Sequence, residues 1–346
     1  MNRKYFISSL AAVAAVFTGL TIAAGPLNDK AKPKVIIPPY LKEGDIIGIC
    51  SPAGHITLDE ITPAVMLLKS WGFNVHIGSS IGKKDFTFGG TEQERLNDLQ
   101  QMLDDTSIKA IMCARGGYGL VRIIEQLQFN KYIARPKWII GFSDVTVLHN
   151  HLNSNFNIAT LHSKMCNSFP DNWSVAEPIQ VSTILSIRQA LTGQDFKYTA
   201  EASEFNKYGR GEGRLTGGNL SIIASLSATE YDIDTRGKIL FLEDTGEYLY
   251  HLDRMMWNLK LSGKLAHLAG LVIGGFKVKP DSPGEEFGRS IHEIVLEKVS
   301  AYGYPVCFNF PVGHVPDNRA MIVGMESSLN VQRNVVDFSF TTTTTV

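Results

Sequence analysis

Residues Lys137 to His149 constrain the fold more than any other stretch, because an apolar run stops there at Gly141-Phe142-Ser143 and a helical pattern begins at once. Trp138, Ile139 and Ile140 read as a buried strand, and Val145, Leu148 and Leu152 recur at helical spacing. A serine is thereby placed on a tight strand-to-helix turn. A side chain there projects beyond the carboxyl end of a sheet, where unpaired N–H groups at the helix start can stabilise an oxyanion. Ser143 then has two readings: a nucleophile, or a cap for the helix with Asp144 and Thr146 in its first turn.

The same logic recurs upstream. Asp45 to Cys50 is a buried-strand pattern broken at Ser51-Pro52-Ala53-Gly54, and Thr57-Leu58-Asp59-Glu60 has the form of a capping box before a helix with Leu58, Ile61, Val65 and Leu68 on one face. Gly72 stops that helix and Phe73 to Ile77 reads as the next strand. Thr91 starts a charged helix through Asp104, and Ile108 to Cys113 is a strand ending in Ala114-Arg115-Gly116-Gly117-Tyr118-Gly119. Val121, Ile124 and Leu127 then predict another helical face. Such strand–helix units build parallel sheets. Glycines at 116, 117 and 119 permit positive φ or a close backbone approach, but the loop lacks both Gly-X-Gly-X-X-Gly and a Gly-Lys-Ser/Thr ending, which argues against a nucleotide. In an open parallel sheet the turns after successive strands gather at one edge, so this loop and Ser143 are expected to face one crevice.

From Ser168 to Tyr208 the pattern weakens around one helix, Val181 to Leu191, and reads as a connection between domains. The second half opens with Gly211 to Leu220 and a short apolar helix, and Gly237 to Asp244 is an apolar strand ending in two acids. An amphipathic helix (Tyr248 to Leu261), a strand (Leu268 to Phe276), a helix (Glu285 to Tyr302), a Gly313-His314 loop and two closing strands (Ala320 to Met325, Ser328 to Phe340) follow. A serine nucleophile needs a base, and the base works better when a third group holds it. Glu243 at a strand end and His314 in its loop are the candidates; taken singly, each also reads as an ordinary polar loop residue.

Composition narrows the partners. The chain has 346 residues, 44% hydrophobic and 19% charged, which suits a globular protein of two domains. A formal charge of −1 with scattered basic residues predicts no nucleic-acid partner. Arg3 and Lys4 followed by apolar Leu10 to Ala24 describe a secretory signal peptide, residues 1–24, whose removal would take two positive charges and leave −3. That apolar run is short for a membrane span, so no stable span is expected once it is cleaved. Cys50, Cys113, Cys166 and Cys307 show no Cys-X-X-Cys spacing and read as free buried thiols rather than a zinc site. His149 and His151 lie two apart on a predicted helix and would not share a face, so with His162 they predict no metal cluster.

Six signals in this order resemble the serine LD-carboxypeptidases that trim murein peptides, the muramoyltetrapeptide carboxypeptidases of peptidase family S66. They are Phe88-Gly89-Gly90-Thr91 with Arg95, Ala114 to Gly119, Gly141-Phe142-Ser143-Asp144, Gly217-Gly218-Asn219-Leu220, Leu242-Glu243-Asp244 and Gly313-His314, and the similarity runs from about Lys42 to Asn330. The resemblance implies an α/β fold: a parallel, flavodoxin- or amidotransferase-like N-terminal domain (residues 35–168), a linker (169–208) and a smaller mixed β/α swivelling-type domain (209–340). It implies Ser143 as nucleophile, His314 as base and then acid, Glu243 as its orienting partner, and an oxyanion hole from the backbone N–H groups of Asp144 and Gly117. The substrate so implied is a murein tetrapeptide cut between an L-centre diamino acid and terminal D-alanine, with no metal or cofactor, and the family also suggests a homodimer. Arg115 and Arg319 are candidates for binding the substrate's free carboxylate, against the reading that each forms a structural ion pair. The chain departs from the family at Leu161-His162-Ser163-Lys164, where members often carry Gly-Pro, and from members without an export signal, which points to the periplasm or cell envelope. Two further readings are a relative that cleaves peptide–nucleotide antibiotic conjugates and a non-catalytic periplasmic solute-binding protein.

Overall fold

The structure, a computed structural model, describes residues 34–341. The expected leader, residues 1–24, lies outside the described residues. Five strands, β1 (Ile46–Cys50), β2 (Asn74–Ile77), β3 (Ile108–Cys113), β4 (Trp138–Gly141) and β5 (Thr160–His162), lie parallel in the order β5-β4-β3-β1-β2. Between them run α1 (Leu58–Ser70), α2 (Glu92–Asp104), the short α3 (Asn130–Ala134) and α4 (Thr146–Phe156). Both Thr57 and Thr91 form full capping boxes, with Glu60 and Glu94.

The central strands are apolar on both faces because both are covered. Ala110, Met112, Trp138 and Ile140 pack on one side with Ile61 and Leu68 of α1, whereas Ile111, Cys113 and Ile139 pack on the other with Leu99 of α2 and Leu148 of α4. All four cysteines are buried and free, Cys50 and Cys113 being paired in register on β1 and β3. One local expectation fails. After the glycine loop the chain forms two 3-10 turns, Leu120–Arg122 and Ile124–Gln126, rather than one helix, and the Asp144 carboxylate accepts the Leu120 N–H at 2.8 Å. A side chain from a later turn thus satisfies the group that would start a helix.

The stretch 169–208, read as a connection, contains α5 (Pro178–Leu191), whose Ile184 and Ile187 enter the first core, and β6 (Lys197–Glu201), an edge strand of the second sheet. That sheet continues with β7 (Gly209–Asn219), β8 (Ile239–Glu247), β9 (Gly270–Val278) and β10 (Val306–Cys307). The strand β11 (Met321–Val323) instead leaves it and pairs antiparallel with β5 of the first sheet, before β12 (Glu326–Val331) and β13 (Val335–Phe340) return. The second sheet has the order β10-β9-β8-β7-β12-β13-β6, parallel from β7 to β10 and antiparallel beyond. One face is covered by α6 (Leu220–Ser225), α7 (Leu249–Leu261) and α8 (Ile291–Val299), whose Ile223, Leu252, Met256 and Ile294 pack with Leu240, Leu242 and Leu271.

Candidate active site

Ser143 occupies a turn that a helix cap would not need. Phe142 is extended, Ser143 has φ +61°, and Ser143 to Val145 make one 3-10 turn before α4. Left-handed backbone in a non-glycine residue is uncommon and costs of order 1–3 kcal/mol, so the surrounding packing must hold it. No side-chain cap bond is made at the start of either segment, which removes the capping reading. Ser143 is half-buried, and Gly116 of the glycine loop lies directly against it: a Cβ on Gly116 would sit 3.0 Å from Ser143 Cβ and 3.2 Å from its Oγ. Among the described residues, the N–H groups of Gly116, Gly117 and Asp144 have no backbone acceptor. Donors left open beside a serine hydroxyl can hold a developing oxyanion.

Buried Arg95 locks this loop from behind. Its guanidinium donates to Pro52 O at 2.7 Å, Gly119 O at 2.9 Å and Gly90 O at 3.3 Å, tying together the chain segments that follow β1, β2 and β3. Burial raises the Asp144 carboxyl to about 6, although its bond from Leu120 and nearby Arg95 pull the other way. The side chain of Asp144 therefore supports the loop while its N–H stays open.

The second sheet brings the other groups. Strand β8 carries Glu243 and Asp244 at its middle, where the register against β9 shifts, and the two adjacent acids face different partners. Asp244 accepts from Ser221 N at 2.8 Å and Ser221 Oγ at 2.6 Å at the start of α6. Glu243, fully buried, accepts from His314 Nδ1 at 2.5 Å. Gly313 makes that contact possible, since a Cβ there would lie 2.3 Å from Glu243 Cβ, and its N–H donates to Asn318 Oδ1 at 2.7 Å. With Nδ1 so engaged, Nε2 is the nitrogen available for chemistry. The His314 ring packs on the ring of Phe142, the residue before Ser143, with centroids 4.8 Å apart. The two halves are joined where Asn219 N–H donates to Thr146 Oγ1 at 3.1 Å, and Asn219 stands opposite Glu243 in the β7–β8 register.

The other histidines do different work. His149 bonds through Nε2 to Gly141 O and through Nδ1 to Thr160 Oγ1, both at 2.8 Å. A carbonyl only accepts, so Nε2 carries the proton and Nδ1 accepts from the threonine; burial pushes this imidazole down to about 4. His162 is fully buried against Phe142 and Phe241, and burial drives its pKa well down. Among the described residues no group of three or more His, Cys, Asp or Glu is arranged to hold a metal ion, and no helix is long and apolar enough to cross a membrane.

Residues 47–163 match the LD-carboxypeptidase N-terminal domain and residues 212–329 match the LD-carboxypeptidase C-terminal domain. The chain belongs to the LD-carboxypeptidase (peptidase S66) family. It is 32% identical to the "Probable murein peptide carboxypeptidase" of Bacillus subtilis, over 85% of this chain and 91% of that protein. It is 29% identical to the murein tetrapeptide carboxypeptidase of Pseudomonas aeruginosa, over 83% and 94%. The crystal structure of muramoyltetrapeptide carboxypeptidase from Oxalobacter formigenes superposes with a TM-score of 0.76 at 26% identity, covering 85% of this chain and 98% of that one. The protein is thus a peptidase with the two-domain α/β fold of that family, and the reading as a non-catalytic binding protein falls away.

Within this LD-carboxypeptidase the two arginines proposed for the substrate carboxylate have separate surroundings. Arg319 is bound to Asp317 at 2.5 Å, and Asp317 also accepts from Thr183 Oγ1 at 2.8 Å, a structural ion pair. Arg115 is exposed beside the glycine loop and donates to His55 O at 3.2 Å. Phe142, Thr146 and Asn318 pack or bond around the serine and histidine loops, and the sequence does not mark them as site residues. Nothing marks them there, because their partners are distant in the chain.

Proposed function

We propose that this LD-carboxypeptidase is a serine enzyme that removes terminal D-alanine from murein tetrapeptides by cleaving its bond to the L-centre of lysine or diaminopimelate. The observation that carries the reading is the His314–Glu243 bond of 2.5 Å, formed by an imidazole packed on Phe142 beside the left-handed Ser143. Ser143 Oγ attacks the scissile carbonyl while His314 Nε2 takes its proton, and Glu243 holds the imidazole and stabilises its charge. The N–H groups of Asp144 and Gly117 receive the oxyanion. Collapse breaks the C–N bond, His314 returns the proton to the departing amine, and D-alanine leaves an acyl-Ser143. Water then attacks that ester, with His314 again as base, and Ser143 is released.

The test is incubation of the protein with murein tetrapeptide and mass spectrometry for loss of one D-alanine. Loss with wild type and none with Ser143→Ala supports the reading. No loss with wild type rejects the substrate, and equal loss with Ser143→Ala rejects the nucleophile.

A second substrate reading rests on the 24% identity, over 84% of this chain, to the microcin C7 self-immunity protein MccF of Escherichia coli. The same triad would then cut a peptide–nucleotide conjugate, and the same assay with such a conjugate decides between them. The basic and apolar leader of residues 1–24 supports export to the periplasm or envelope, which cell fractionation tests. Light scattering tests the homodimer suggested by the family.

A further inference from the structure

Lys164 is a half-buried cation that forms no ion pair among the described residues. Its Nζ donates to Val315 O at 2.7 Å and stands 5.8 Å from the Phe142 ring centroid. Among the described residues no carboxylate lies within 4.0 Å of it. Neither nearby acid reaches it: Asp317 is held by Arg319 and Thr183, and Glu243, which gives Oε2 to His314 and leaves Oε1 without a hydrogen-bond partner, forms no ion pair with Lys164 among the described residues. Burial and then the neighbouring Lys277 press the Lys164 ammonium below its ordinary pKa, although the charges of Asp317 and Glu243 pull the other way. An ammonium withdrawn from water without a partner is costly, and an arriving anion relieves that cost.

Its position indicates which anion. Val315, whose carbonyl holds Lys164, follows His314 directly, and His314 is the group that protonates the leaving amine in the proposed reaction. In a released amino acid the amine and the carboxylate are separated by one carbon. A cation beside His314 is therefore on the leaving-group side, whereas Arg115 stands with the glycine loop on the oxyanion side.

We propose that Lys164 is a specificity-determining residue that binds the free α-carboxylate of the substrate's terminal residue and so makes the enzyme a carboxypeptidase rather than an internal peptidase. The assignment rests on the tetrapeptide reading above. It requires no movement of charge in the chemical step, only a charge-assisted hydrogen bond from Nζ, which keeps two donors free beyond the one given to Val315.

The test compares kcat/KM of wild type, Lys164→Met and Lys164→Gln for three peptides: the tetrapeptide with diaminopimelate, its C-terminal amide, and the lysine-containing tetrapeptide. Lys164→Gln can still donate to Val315 O, so it separates loss of charge from loss of the loop tether. Charge-assisted bonds of this kind correspond to about 10- to 100-fold. Both variants are expected to lose about that factor on the acid, mostly in KM, and to stay within about threefold of wild type on the amide, so that the acid-to-amide ratio collapses. An unchanged ratio overturns the assignment, as does an equal fall on acid and amide, the signature of a purely structural lysine. Collapse of the diaminopimelate-to-lysine ratio with the acid-to-amide ratio intact also overturns it, because Lys164 would then read a side-chain carboxylate. Absence of D-alanine release by wild type would instead reject the function on which the assignment rests.

Discussion

Gly218 lies so close to Thr146 that a Cβ there would fall 2.6 Å from Thr146 Oγ1 and 2.7 Å from its Cγ2. The next residue, Asn219, donates its N–H to the same hydroxyl. This contact sets the strand that accompanies Glu243 against the helix that starts after Ser143, so it holds the proposed catalytic groups of the two halves together.

Gly218→Ala is accordingly expected to damage both stability and turnover. The added methyl meets Thr146 and must also adopt φ +142°, a combination worth roughly 1–3 kcal/mol or more. Thermal unfolding should show a lower Tm and D-alanine release should fall at least about tenfold. A variant with wild-type Tm and rate would show that the contact does not position the triad.

Glu243→Gln preserves shape and removes the charge that faces His314. By the behaviour of an acid that holds a catalytic imidazole, kcat should fall about 10²- to 10⁴-fold with KM and Tm nearly unchanged. Steady-state kinetics beside thermal unfolding check this; a kcat within threefold of wild type would remove Glu243 from the triad.

His149 makes stability depend on pH. Its pKa falls from 6.5 unfolded to about 4 folded, so the unfolded chain binds a proton that the native state refuses. The stabilisation is present above pH 6.5 and is lost as pH falls through that window toward 4. Asp144, raised from 3.8 to about 6, acts in the opposite sense, stabilising as pH falls between those values, so the wild-type profile alone is not diagnostic. The comparison is with His149→Phe, which should be less stable than wild type at pH 7.5. That deficit should shrink by roughly 2–3 kcal/mol at pH 4.5, measured by urea unfolding. An equal deficit at both values would exclude the linkage.

Chelation provides a fourth test. The ring nitrogens of His149 are occupied by Gly141 and Thr160, and the proposed chemistry uses only side-chain and backbone groups. Full activity is expected after prolonged dialysis against chelator, whereas a loss restored by zinc would overturn the metal-independent mechanism.

Much of this was legible along the chain because the relevant signals are local. The capping box at Thr57, the helix start at Thr91, the strands Ile108 to Cys113 and Trp138 to Gly141, and the break at Ser143 depend on neighbours within a few residues, where periodicity and turn chemistry act directly. The segment after Gly119 misled for the converse reason: the Leu120 N–H goes to Asp144, 24 residues away, instead of waiting for a helix.

The sequence by itself determined that a serine would end a buried strand in a parallel α/β layer, and that its motifs follow the order of the LD-carboxypeptidases. Only the tertiary structure decided that Ser143 is left-handed rather than a cap, that Asp244 beside Glu243 turns to Ser221, that Arg319 is bound to Asp317, and that Lys164 donates to the carbonyl next to His314. Those outcomes turn on which side chain faces which across two sheets, over separations of up to 151 residues in the case of Lys164 and Val315. Local preference cannot carry that information, because a one-residue shift such as the one between Leu242 and Asp244 in β8 changes which residues stand opposite each other.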